Sequence, residues 1–85
     1  MERSCILKVD YDSKNDILYL DFMNTHGNSY ADDEAPVGIE IMRDIDTDEV
    51  TGLMVYYAMR DMAERQSQIE GMGYRNIRIK ELLPA

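Results

Sequence analysis

Apolar and polar residues alternate with a period of two in several short stretches of this chain, and switch to helical spacing near Ala58. Cys5, Leu7 and Val9 alternate with Ile6, Lys8 and Asp10, which predicts a strand with the first three pointing inward. Residues 17–22 alternate again and predict a second strand with Leu18, Leu20 and Phe22 inward. Between them, DSKND is rich in residues that bond to their own backbone and tolerate tight turns, so the two strands should form a hairpin. Residues 23–35 carry neither period and read as a polar loop, with Asp32, Asp33 and Glu34 in solvent.

Pro36, which lacks an amide hydrogen, suits the start of a third strand in which Val37, Ile39 and Ile41 share a face. After the acidic turn DIDTDE, Val50 and the run from Leu53 to Tyr57 predict a fourth strand. Gly52 inside it marks a bulge or a close backbone approach. Met59, Met62, Ala63, Gln66 and Ile69 then fall on one helical face. Asp61 and Glu64 have capping-box spacing, a start nearer Ala58 fits equally well, and Gly71 and Gly73 end the helix. Residues 76–82 return to alternation, Ile77 and Ile79 against Arg78 and Lys80, and predict a short strand with a basic outer face. The expectation is one α+β domain spanning residues 1–85: a four-stranded antiparallel meander, one helix on one face, and a short terminal strand.

Size sharpens this picture. A chain of 85 residues buries only about 60% of its unfolded surface and is marginal alone. One cysteine, Cys5, excludes an internal disulfide, and no cysteine–histidine spacing suits a structural zinc. A partner subunit is the remaining supplement. The formal charge of −8 repels nucleic acid and anionic membranes, so neither is an expected partner. No apolar run approaches the roughly 20 residues of a membrane span, and the amino terminus lacks a secretory pattern. A cytoplasmic location is expected.

Five groupings invite a chemical reading. Asp12 and Asp16 flank a turn four residues apart, but hard cations want more oxygen ligands than two carboxylates supply, and turn formation accounts for both. Tyr11 and Tyr19 read as packing groups with hydroxyls at the rim. Asp44, Asp46 and Asp48 have the first three spacings of a calcium loop, yet Glu49 stands where glycine is needed and Val55 where the bidentate glutamate belongs. Cys5 and His26 are the available nucleophile and base, one in a core strand pattern and the other in a polar loop. The basic segment RNIRIK has no interleaved aromatic residue, and pairs better with acidic protein surface than with nucleic acid. No catalytic residue, metal site or cofactor is expected.

Tyr11-Asp12, then Asp16, then Leu18-Tyr19-Leu20, followed by a polar gap, an apolar strand, the Asp44-Ile45-Asp46 turn and Gly52-Leu53-Met54-Val55, resembles the bacterial domain-of-unknown-function family 2283. The likeness covers about residues 7–58, and Met54 stands where that family usually carries a glutamate. The resemblance implies a small antiparallel sheet and no established reaction. It also implies an antitoxin-like role, since some members are encoded beside small toxins.

From the residues alone, the expected function is a non-catalytic, acidic protein-interaction module acting as a homodimer. Its interface would draw on Tyr56, Tyr57, Met59, Met62 and Ile69, because the methionine-rich stretch exceeds what one helix on one sheet must bury. The alternative is an antitoxin-like chain that neutralises a small basic protein. A small-molecule or weak cation binder comes third.

Overall fold

The hairpin expected around DSKND is present. In the computed structural model, which describes Ile6, residues 8–22 and residues 29–84, strand β1 (Lys8–Asp12) pairs antiparallel with β2 (Ile17–Asp21). Three further strands follow, β3 (Ser29–Asp32), β4 (Ile39–Asp44) and β5 (Val50–Tyr56), then helix α1 (Met62–Gly71) and a one-turn helix α2 (Ile79–Leu82). The α+β class therefore holds: an antiparallel sheet with one main helix packed against it.

The connectivity departs from a simple meander. The sheet order is β1-β2-β5-β4-β3, so the last strand occupies the centre, between β2 and β4. β5 earns that position by composition, since it is the most continuously apolar segment and central strands lose the most water. At Gly52 both expected features occur. Met42 pairs with Gly52 and Arg43 with Val50, leaving Thr51 as the extra residue of a bulge. A β-carbon on Gly52 would also sit 2.6 Å from the Leu20 carbonyl oxygen.

One sheet face carries the core. Leu18, Leu20, Ile39, Leu53 and Val55 are buried there beneath Ile69 of α1 and Ile77, Ile79 and Leu83 of the carboxy-terminal segment. Leu20 fully buried between strands and helix should lose about 2–5 kcal/mol on truncation to alanine. α1 ends as Gly71 and Gly73 lead one to expect. Gly73 takes a φ of +103°, Gly73 N–H donates to Glu70 O and Tyr74 N–H to Ile69 O, satisfying carbonyls that the last turn would leave unpaired. Asp61 stands at the N-cap position, but its side chain makes no capping bond and turns instead to Arg60 and Arg65.

Four local expectations are corrected. Residues 29–32, read as loop, form β3, whose hold on β4 includes an Arg43–Asp32 ion pair at 2.7 Å and needs no apolar alternation. Val9 shares the core side of the sheet with its partner Leu20 but stays 39% exposed, because β1 is a sheet edge paired on one side only. Val37 lies in the turn before β4 and is 90% exposed. Residues 76–82 form no strand. Arg78 is extended, but its flanking peptide groups are taken by one side chain: Gln66 Nε2 donates to Ile77 O at 2.8 Å, and Ile79 N–H donates to Gln66 Oε1 at 2.8 Å. A glutamine amide on α1 thus supplies the bonds that a neighbouring strand would have made, and α2 follows.

Candidate functional site

Helix and carboxy-terminal segment cover only one side of the sheet. On the other side the register aligns Tyr19, Met54 and Glu40 across three strands, with Ile17 opposite Tyr56 and Met42 opposite Gly52. Ile17, Tyr19, Met42, Met54 and Tyr56 are half-buried by one another, and no other element of the described chain lies over them. Carboxylates edge this stripe. Asp10 pairs with Tyr19 across β1 and β2, Asp21 with Gly52, and the Glu40 carboxylate accepts the Tyr56 hydroxyl at 2.8 Å. That bond to Glu40, helped by partial burial, pushes the Tyr56 phenol above its usual pKa.

The stripe runs into a groove of about 530 Å³ at the end of the sheet where β5 leaves for α1. Ile17, Val37, Tyr56, Tyr57 and Arg60 line it. Tyr57 is 47% exposed, holds a φ of +54°, and lies with its ring 3.9 Å from the Arg60 guanidinium. Arg65, only 6% exposed, forms the groove floor. Its Nε donates to Tyr56 O at 2.7 Å and its Nη1 to Gln68 Oε1 at 3.1 Å. Gly38 has a φ of +96°, and a β-carbon there would fall 2.3 Å from the Arg65 guanidinium carbon, so only glycine leaves room for that arginine.

These positions sort the interface residues expected from sequence. Tyr56 belongs to both the open face and the groove, Tyr57 lines the groove, and Met59 is 43% exposed nearby in the chain. Met62 is half-buried against the core. Ile69 is corrected: it is fully buried on the sheet-facing side of α1 and presents no surface. Its helical spacing from Met62 put it on the same face, and that face is the one packed against the sheet. Ile17, Tyr19, Met42 and Val37 were missed, and Met54 entered only as part of the methionine-rich stretch. A signal for all but Val37 existed, because β2 and β5 carry apolar residues on both faces and β4 carries Met42 opposite its core positions.

The acidic turns are occupied by structural bonds. Asp12 accepts the Lys14 and Asn15 amides, and Asp44 accepts those of Asp46 and Thr47 at 2.7 and 3.1 Å. Asp16 does more than close its turn. Its carboxylate accepts the Tyr11 hydroxyl at 2.7 Å and the Met59 and Arg60 amides at 2.8 and 3.0 Å, fastening the chain between β5 and α1. Burial pushes the Asp16 carboxyl up, but the Met59 amide, the Tyr11 hydroxyl and Arg60 together hold it below the usual carboxylate value. Among the described residues, no group of three or more His, Cys, Asp and Glu is placed to share a metal ion. Cys5 and His26 lie outside the described residues. None of the helices described is long and apolar enough to cross a membrane.

Comparison of this chain with family models, with curated proteins and with solved structures finds no match.

Proposed function

We propose that the protein is a non-catalytic protein-interaction module that self-associates through the groove at the end of the sheet. The observation that supports this reading is the clustering there of Val37, Tyr57 and the neighbouring Tyr56 and Ile17 around the cationic head of Arg60. Exposed apolar side chains are ordinary singly and informative when contiguous. Tyr57 also holds a left-handed conformation that is costly for an aromatic residue, and such conformations collect at functional surfaces. Charge favours this end too. Arg60 is paired with Asp61 at 3.0 Å, so two copies can meet here without the repulsion that the acidic remainder of the chain would impose.

Light scattering coupled to size exclusion at micromolar protein tests it. The expected result is a species of twice 9.9 kDa that persists in raised salt, because apolar burial drives it, and that Tyr57→Asp converts to monomer. A monomer at every concentration rejects the reading. An antitoxin-like role, as the family resemblance implies, is the second reading, and the acidic edge of the open sheet face is the observation that favours it.

A further inference from the structure

We propose that the open sheet face is a docking surface for a cationic amphipathic helix of another protein. The inference rests on the interaction-module reading but not on self-association, which uses the groove. The face presents Tyr19 and Tyr56 with Met42 and Met54, side chains that combine apolar area with adaptable shape. Around them stand Asp10, Asp21 and Glu40, and the cation that shares this face among the described strand residues is Lys8, opposite Asp21 at one corner.

Charge selects the occupant. A second copy laid on this face about a two-fold axis would set Asp10, Asp21 and Glu40 against the same carboxylates, and like charges across an interface disfavour that pairing strongly. Nucleic acid and anionic lipid are repelled by the same side chains. A partner that offers an apolar stripe flanked by Lys or Arg meets both features at once. Its cations find carboxylates at the edge and two tyrosine rings within the stripe. Geometry selects a helix over an added strand. The backbone of β2 and β5 is already paired on both sides, so this face offers side chains and no free ladder groups. A helix of about 18 residues is about 27 Å long, comparable with the molecule's 35 and 28 Å axes.

A displayed library of helical peptides, with a fixed apolar stripe and randomised flanks, is selected against the folded protein. Binders should emerge with Lys- and Arg-rich flanks. Reversing the edge with Asp10→Lys and Asp21→Lys, both on exposed residues and so compatible with folding, should weaken them by about tenfold or more at low salt and less at high salt. Met54→Asp should abolish binding, with circular dichroism checking the fold. Failure to enrich any binder, enrichment of neutral or acidic flanks, or indifference to the double reversal overturns the proposal. So does a dimer whose amide shifts map to Tyr19 and Met54, since a second copy would then be the occupant. Loss of dimerisation on Tyr57→Asp with peptide binding intact separates this proposal from the self-association reading.

Discussion

Two turns of this protein are built alike and serve different ends. In the turn from Asp12 to Asp16, the first aspartate accepts the amides two and three residues on, and the last takes a φ of +57°. In the turn from Asp44 to Asp48, Asp44 accepts the amides two and three residues on, and Asp48 takes a φ of +68°. Locally they are the same device, an aspartate-initiated turn closed by an aspartate in the left-handed region. Their last carboxylates differ. Asp48 reaches an exposed neighbour, the Tyr30 hydroxyl of the edge strand β3. Asp16 reaches residues 43 and 44 positions away and holds the start of the helical layer against the sheet. A turn motif does not state its own structural weight. That weight depends on which segment the fold lays over it.

The same change in both turns should separate them most. Asp16→Gly relieves the left-handed backbone but leaves the Met59 and Arg60 amides without their acceptor. It should cost about 1.5–3 kcal/mol, the range for hydrogen bonds to a charged group. Asp48→Gly relieves the same kind of strain and loses only a solvent-side contact, so its melting temperature should stay level or rise. Equal losses in chemical denaturation of the two variants would show that the anchoring role of Asp16 is wrong.

Acid should reveal the same asymmetry more gently. The folded Asp16 carboxyl lies below its unfolded value of about 3.9, so its contribution is complete above that value and disappears as pH falls through the folded one. Stability of the native chain and of Asp16→Gly, followed by urea titration from pH 6 downward, should therefore converge below about pH 4. A gap that stays constant to the lowest pH would assign the effect to something other than the carboxylate.

A smaller effect is expected at the two tyrosines. Tyr11→Phe removes one of the three donors to Asp16 and should raise the pKa of that carboxyl, visible by carbon-detected nuclear magnetic resonance. Tyr30→Phe should leave Asp16 untouched. A shift at Asp16 from both would mean that the two turns communicate through the sheet. The smallest effect is expected from calcium. Asp44 is already bonded to backbone amides, so calorimetry should find no saturable site tighter than about the millimolar range of the weakest calcium modules. Micromolar binding lost on Asp46→Asn would overturn that.

What could be read from the sequence alone were the features set by neighbours in the chain. Period-two alternation placed β1, β2 and β4, a continuous apolar run placed β5, and the inward set Leu18 and Leu20 followed from the alternation. Glycine placed the end of α1 because Gly73 tolerates a backbone that side chains resist. The turns at DSKND and DIDTDE followed because an aspartate bonds amides within its own reach. Tertiary structure alone decided the rest. β3 has no alternation to betray it, and its side-chain partners Arg43 and Asp48 come from later in the chain. Residues 76–79 had the right alternation for a strand, but Gln66 took the backbone groups on which a ladder would have depended. Arg65 falls at inward helical spacing between Met62 and Ile69, and its charge can be buried there only because Gly38 leaves space for its guanidinium and Tyr56 offers a carbonyl. On the open face the sequence signalled apolar positions but not what covers them. Tyr19, Met54 and Tyr56 alternate with core residues, and whether such a face is covered depends on where α1 settles. One helix can cover one side of the sheet. The physical reason is common to all these cases: hydrogen bonds and packing between distant segments are satisfied only once the fold brings them together, and local spacing carries no record of them.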